Sequence, residues 1–425
     1  MRPTPEGVHF HLTRPNPACT MLPNSGPSPV TMQRTYSFYR DAFRHHVMPF
    51  AYVDLELFDQ NVRDIAQRAG SKYIRVASKS VRCVPLIERI LASDPKYRGI
   101  MAYSVREAVF LSLLGLDDLL VGYPVVKALE GSGLAEELLR GKKIVLMVDC
   151  VEHVDIADRY ARQFNTTIPL CIDLDLSIQL AGFRIGVLRS PIATPQQAVT
   201  LCRYIAQRRH VRLEGLMGYE AQVAGLPDNV PGSPIKNVIA RYLKRRSIRE
   251  AMERRARTVD SLRNEGFELS FVNGGGTGSV ETTAAEESVT EVTVGSGFFS
   301  PVLFDWYTGF RHLPAAGYAV EITRLPEQGV YTCHGGGYVA SGVGHDKQPR
   351  PYLPDGAMLT KLEGAGEVQT PIRYTGPDVL RIGDPIFMRY SKAGEMCERF
   401  NCLLALHDSE VTEIPTYRGE GQSFL

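Results

Sequence analysis

From about residue 50 to about residue 300, short β-branched runs alternate many times with runs whose apolar residues recur at helical spacing. A chain that must bury a strand, then a helix, then a strand again builds parallel strands joined by crossover helices. The strand candidates are Tyr73–Ala77, Gly99–Tyr103, Asp118–Gly122, Ile144–Val148, Ile168–Asp173, Arg212–Gly218, Leu269–Asn273 and Glu291–Val294. Helices are expected over 55–69, from Pro85 onward, and over 105–114, 127–140, 151–164, 195–208 and 234–264. Local signals mark their starts. Asp54 can cap the first, Pro85 suits a first helical position, and Ser104 with Glu107 reads as a capping box. Thr194, Pro195 and Gln197 open another in the same way. A (β/α)8 barrel is the simplest closure of such a pattern, and an open doubly wound sheet is the alternative.

After about residue 310 the texture changes. Tyr318–Thr323, Gly329–Cys333, Pro385–Tyr390 and Leu403–His407 read as short strands separated by Gly and Pro turns. The expected organisation is an N-terminal extension over 1–45, rich in Pro, Asn and Ser and loosely ordered, a barrel over 46–308, and an all-β domain over 309–425.

Charge excludes some partners. Lys+Arg 48 against Asp+Glu 47 leaves a net +1, with no bias toward nucleic acid or a membrane surface. The basic runs Lys244–Arg246 and Arg254–Arg255 are interrupted by Glu250 and Glu253 and read as a solvated helix face. Eight cysteines without a CxxC pair, and no apolar leader segment, suggest reduced thiols and a cytoplasmic protein.

In a barrel, chemistry gathers at the C-terminal ends of the strands. Strand one leads into Ala77-Ser78-Lys79-Ser80, and strand six into Gly218-Tyr219-Glu220. Strand seven leads into Gly274-Gly275-Gly276-Thr277-Gly278, and strand eight into Gly295-Ser296-Gly297. Backbone N–H groups in such turns can cradle a phosphate, although glycines in a tight turn need no ligand. The run does not match a lysine-bearing nucleotide loop. Lys79 is either a side chain that snorkels to solvent or a Schiff-base amine facing that cup.

These residues resemble a known group. Arg75-Val-Ala-Ser-Lys79-Ser80-Val-Arg82 is similar to the R-P-H-x-K-T-x-K stretch of the fold-type III pyridoxal-phosphate enzymes related to D-threonine aldolase and D-serine dehydratase. Gly215–Glu220, Arg184-Ile-Gly186-Val, Asn273–Gly278, and Gly295-Ser296 followed by Asp305 resemble further segments of that group; Phe298 and Phe299 stand where a Tyr is usual. The resemblance implies pyridoxal 5'-phosphate on Lys79, with Arg184 at the cofactor's ring face or phenolic oxygen and Tyr219 near the ring. It implies phosphate contacts from Gly275, Gly276, Thr277, Gly295 and Ser296, and a homodimer. Structural alternatives stand beside two of these: an ion pair of Arg184 with Asp173 or Asp175, and a core role for Tyr219.

One departure bears on the reaction. The aldolase and dehydratase relatives hold a divalent metal in the β domain, and the matching positions here read Tyr390 and Lys392. An ammonium has no lone pair for a metal. Either other ligands such as Glu395, Cys397, His334 or His407 take over, or Lys392 supplies the positive charge itself. The reading favoured is a lyase on a D-β-hydroxy amino acid, retro-aldol cleavage first and dehydration second. A racemase and a non-catalytic pyridoxal-phosphate-binding protein are the rivals, and the long β domain argues against the last.

Overall fold

The computed structural model describes residues 34–180, 182–342 and 347–425. Residues 1–33, most of the expected N-terminal extension, lie outside the described residues.

Eight parallel strands close into a barrel in sequence order: Tyr73–Ala77, Tyr97–Ala102, Leu119–Pro124, Ile144–Val148, Ile168–Leu174, Val211–Gly218, Phe271–Gly274 and Glu291–Val294. The open-sheet alternative is therefore excluded. Alternate residues face inward. Leu120, Val145, Met147, Cys171, Met217 and Phe271 form an apolar layer inside. Arg75 lies beside it with its side chain 1% exposed, bound to Glu291 at 2.7 and 3.0 Å and to the Asp118 carbonyl at 2.7 Å. Glu291 also accepts from Asn273 at 2.8 Å. Paired in this way, the charges are tolerable at depth.

The outer helices follow the local signals. Asp54 accepts from the Leu57 N–H at 3.2 Å, Ser104 from the Glu107 N–H, and Thr194 and Gln197 complete a capping box. The longest helix among the described residues is Pro234–Asn264, and its basic runs are not simply a solvated face as expected: Arg255 is fully buried against Glu220, Lys244 pairs with Asp228 at 3.0 Å, and Arg254 donates to the Asp175 and Ser177 carbonyls. The single helix expected over 127–140 is instead a short 3-10 turn, Lys127–Leu129, and a helix, Leu134–Leu139. Gly131 and Gly133 between them adopt left-handed φ of +67° and +81°, which interrupts the helical path. Among the described residues no helix is long and apolar enough to cross a membrane.

The C-terminal β region is built from both ends of the chain. Phe50–Asp54, fully buried, pairs antiparallel with Ala316–Glu327 and parallel with Cys402–His407. This strand precedes the barrel in sequence yet sits in the β sheet. Loose order was expected through residue 45, but Tyr36–Ala42 is a helix capped by Thr35. Tyr39, Phe43, Tyr52 and Phe387 pack ring against ring, and Tyr39 donates to Asp54 at 2.9 Å. Burial of those rings holds the short helix, whose own propensity is weak. Phe43→Ala should cost about 3–5 kcal/mol, the range for an aromatic lost from a core. Urea unfolding checks this; a change within about 0.5 kcal/mol would show that the segment is not part of the core.

Candidate active site

A cavity of about 210 Å³ opens at the C-terminal ends of the barrel strands. It is lined by Lys79, Tyr219, Gly275, Gly276, Thr277, Gly295, Ser296 and Lys392, together with Tyr103, Tyr123, Asn273 and Arg189. Its lining holds three cations and no carboxylate.

Lys79 sits in a 3-10 turn, Ser78–Ser80, directly after strand one. The Ser78 hydroxyl donates to the Met101 carbonyl at 3.0 Å, and the Ser296 hydroxyl to the Ser80 hydroxyl at 3.1 Å. No carboxylate pairs with the Lys79 amine among the described residues. The turn is also pressed from above. A Cβ at Gly394 would lie 2.6 Å from the Ser80 backbone and 2.9 Å from the Lys79 carbonyl oxygen. Glycine there lets the Lys392–Gly394 turn of the β region rest on the lysine's own backbone. The N–H groups of Val302 and Leu303 donate to the carbonyls of Tyr390 and Ser391 at 3.2 and 3.0 Å. Asp305, noted in the sequence, pairs with Arg389 at 2.7 Å. These contacts carry Lys392 into the cavity.

Opposite Lys79 lies the glycine cup. Gly275 has φ +83°, open to glycine at little cost. A Cβ at Gly276 would meet Ala224 at 2.9 Å, and one at Gly295 would meet Ser80 at 2.8 Å and Ala77 at 2.9 Å. The Gly297 N–H donates to the Thr277 hydroxyl at 3.0 Å and ties the two loops together. The backbone N–H groups of Thr277 and Ser296 have no partner among the described residues. The Gly276 N–H is taken by the Ser279 hydroxyl at 3.1 Å, so the close-approach glycines shape the cup and the unengaged Thr277 and Ser296 N–H groups are the donors that fit a phosphate. Facing an unpaired lysine amine, the cup fits pyridoxal phosphate.

Glu220, 2% exposed, braces the cup from behind. It accepts from Ser279 at 2.7 Å, Thr283 at 2.5 Å, Arg255 at 2.8 Å and the Gly275 N–H at 3.4 Å. Arg255 pairs in turn with Glu286. Sequence reasoning gave Glu220 no role. Its adjacency to Tyr219 was the available signal. Tyr219 itself reaches the cavity, and burial, with the Glu220 charge beside it, pushes its phenol up to about 12. It therefore stays protonated at neutral pH.

Arg184 is not in the cavity lining. It binds Asp175 at 3.0 Å and the Ser177 hydroxyl at 2.9 Å, in a hairpin of Ile178–Leu180 and Phe183–Ile185, with its side chain 35% exposed. The ion pair weighed in the sequence is the arrangement found. Arg189 takes the place at the rim, with its guanidinium 5.2 Å from the ring centres of both Tyr123 and Tyr219.

The metal positions of the β region do not fit a metal. Lys392 has no ligand lone pair, and the Tyr390 hydroxyl is buried without a hydrogen bond, its acidity well suppressed by burial. Glu395, Cys397, His334 and His407 do not converge as a ligand set among the described residues.

The C-terminal segment closes the back of the lysine turn. The Tyr417 N–H donates to the Arg82 carbonyl at 2.9 Å, and its hydroxyl to Glu107 at 2.9 Å. Glu107 also accepts from the Tyr103 N–H at 2.7 Å.

A family model described as alanine racemase, N-terminal domain, matches residues 53–301. The chain belongs to that family. A 3-hydroxy-D-aspartate aldolase of Paracoccus denitrificans (strain Pd 1222) is 23% identical over 256 residues, 59% of this chain. That match spans 60% of the relative's own length. The crystal structure of D-threonine aldolase from Filomicrobium marinum superposes with TM-score 0.74 at 21% identity, over 89% of this chain and 96% of that one. D-threo-3-hydroxyaspartate dehydratase from Delftia sp. HT23 gives 0.69 at 18% identity, over 88% and 98%. These structures share the whole fold, barrel and β region together.

Two outcomes follow for this family member. Gly295→Ala should force Ser80 and Ala77 aside, at about 1–3 kcal/mol of overpacking, and weaken cofactor retention on dialysis. Unchanged retention would place the phosphate elsewhere. Burial pushes the Glu107 carboxyl from 4.5 up to about 7, so the folded state favours its protonated form. That stability is fully present below about 4.5 and is lost as pH rises through about 7. The melting temperature of wild type relative to Glu107→Gln should therefore fall between pH ~5 and ~8; a constant difference would show that Glu107 does not titrate there.

Proposed function

We propose that this chain is a pyridoxal-phosphate-dependent lyase acting on a D-β-hydroxy amino acid, with retro-aldol cleavage of a D-threonine-like substrate as its reaction. The observation that carries the reading is the cavity, in which an unpaired Lys79 faces a backbone-lined glycine cup across a rim without carboxylates. The names of the related aldolases and the dehydratase support the D configuration and the hydroxylated side chain.

Lys79 would hold the cofactor, and Gly275, Gly276, Thr277, Gly295 and Ser296 its phosphate. Bound there, the cofactor supplies an electron sink for the pair left at the substrate's Cα. The other steps fall to this chain's own residues. Neutral N–H groups suffice for the phosphate, which leaves Lys392 and Arg189 to attract the substrate's carboxylate. Anchoring the carboxylate sets which bond at Cα lies in line for cleavage. Lys79, once displaced by the substrate's amine, is a base beside Cα and the β-hydroxyl. Removing the β-hydroxyl proton lets Cβ leave as an aldehyde, and a proton returned to Cα completes glycine. The protonated Tyr219 phenol and the rings around Arg189 shield this face from water.

Dehydration is the second reading, favoured by the position of Lys392. An ammonium near the β-hydroxyl can also help it leave, and Cα then loses a proton instead of a carbon.

D-Threonine should give glycine and acetaldehyde, and the L isomer should not react. Release of 2-oxobutanoate would assign dehydration, and inactivity toward a panel of D-β-hydroxy amino acids would overturn the lyase reading. Lys392→Met should lower kcat/KM by about 10²-fold or more, the scale for losing one electrostatic stabiliser. An unchanged kcat/KM would remove Lys392 from the chemistry.

A further inference from the structure

A second cavity adjoins the lysine turn. It measures about 290 Å³, and Lys392 lines both it and the cofactor cavity. Arg82 is a second link between the two. Its N–H donates to the Ser78 carbonyl at 2.8 Å, its side chain lines the second cavity, and its guanidinium stands 5.4 Å from the ring centre of Tyr103, which lines the first. The β region supplies the remaining described walls, Tyr338 and Arg399 among them.

The charges there are unevenly matched. Arg82, Lys392 and Arg399 face Glu395 and Glu398, three cations against two carboxylates. Both carboxylates are engaged: Glu398 pairs with Arg82 at 3.0 Å, and Glu395 accepts from the Ser341 N–H at 2.8 Å. Lys392 donates to the Ser341 carbonyl at 3.4 Å. Arg399 lies 5.6 Å from the Tyr338 ring centre and pairs with no carboxylate among the described residues. Leu425 also lines the cavity but is 86% exposed, so any charge there is solvated.

Two polar atoms of lining residues, Arg82 Nε and the Tyr390 hydroxyl, are buried without a hydrogen-bond partner. Val339, Ala340 and Met396 add an apolar surface. An apolar stem that ends in an anionic acceptor matches this combination.

A water-filled gap between two docked regions is the plain alternative. The placing of Lys392 favours an occupant instead. The cofactor cavity is the smaller of the two, about 210 Å³, and must take the cofactor together with the reacting carbons. A substrate side chain beyond Cβ needs other room, and the cavity that shares Lys392 offers it.

We propose that the second cavity is the side-chain subsite, and that the substrate is a β-hydroxy amino acid whose side chain continues past Cβ through an apolar stem to a distal carboxylate. The proposal rests on the lyase reading given above. Arg399 and Arg82 hold the distal carboxylate, Met396 and Val339 flank the stem, and Lys392 stands where the two cavities meet. Cleavage balances as for a shorter substrate. The β-hydroxyl proton goes to the base, the Cα–Cβ bond breaks, and Cβ leaves as an aldehyde that still bears the carboxylate. Cα keeps the electron pair and takes a proton to give glycine.

The test measures consumption of D-threonine, D-phenylserine and D-configured 2-amino-3-hydroxyadipate by the full chain loaded with pyridoxal phosphate, for wild type and for Arg399→Gln at the exposed rim. Wild type should favour the hydroxyadipate in kcat/KM by about tenfold or more, the scale of one charge-assisted hydrogen bond. Arg399→Gln should lower the ratio of hydroxyadipate to D-threonine kcat/KM by a similar factor. Calorimetry with glutarate, which cannot react, reads the subsite apart from the reaction. Glutarate should bind wild type about tenfold more tightly than butyrate, and that advantage should be lost in Arg399→Gln. A preference for D-threonine or D-phenylserine, or a ratio that Arg399→Gln leaves unchanged, would overturn the subsite while leaving the lyase reading intact. Glutarate binding that depends on Arg399, with none of the three amino acids consumed, would uphold the anion site and sink the lyase reading.

Discussion

The carboxylate of Glu220 is the fixed point on which the glycine-cup side of the cavity depends. It is buried with Arg255 and Glu286, and it reaches Ser279, Thr283 and the Gly275 N–H at once. A glycine turn has little conformational preference of its own, so its shape must be imposed from outside. Here the imposition is ionic and deep. The end of strand six delivers the carboxylate, the long helix delivers the guanidinium, and the glycine loop after strand seven binds to that carboxylate through Gly275 and Ser279. A buried charge pair of this kind is weak as a source of stability but strong as a specifier of geometry, because removing either partner strands the other.

The lysine side is held by a different means, contact with the β region. Gly394 rests on the backbone of Lys79 and Ser80, and Tyr417 binds the Arg82 carbonyl. The sheet that supplies both residues is completed by Phe50–Asp54 from the other end of the chain. The barrel alone therefore provides the cup but not the fourth wall of the cavity. Lys392 enters only because the β region docks on the same turn that carries Lys79. This dependence gives a physical reason for two regions in one chain: the Lys392 cation and the Lys79 amine come to one cavity only when both regions are present.

Much of this was legible in the residues. Strands Tyr73–Ala77, Ile144–Val148 and Glu291–Val294 and the helix Pro234–Asn264 fall where periodicity and end signals put them, since those signals are local. Lys79, Tyr219, the glycine cup and Lys392 do meet in one cavity. What stayed hidden depends on distance along the chain. Phe50–Asp54 finds its partners more than 250 residues away, and the helix Tyr36–Ala42 is stable only against rings from that sheet. Arg184 carried the motif, but a neighbouring turn at Asp175 captures it locally, and Arg189 reaches the cavity instead. No short-range pattern distinguishes those two arginines. The partners of Glu220 come from a helix and a loop that the sequence does not show to be adjacent.

The central claim is that Lys79 carries the cofactor, and reductive trapping tests it most directly. Borohydride treatment of the protein as isolated with pyridoxal phosphate, followed by proteolysis and mass measurement, should place the pyridoxyl-phosphate mass on the peptide containing Lys79. A label on a different lysine, or a Lys79 peptide of unmodified mass throughout, would contradict the account.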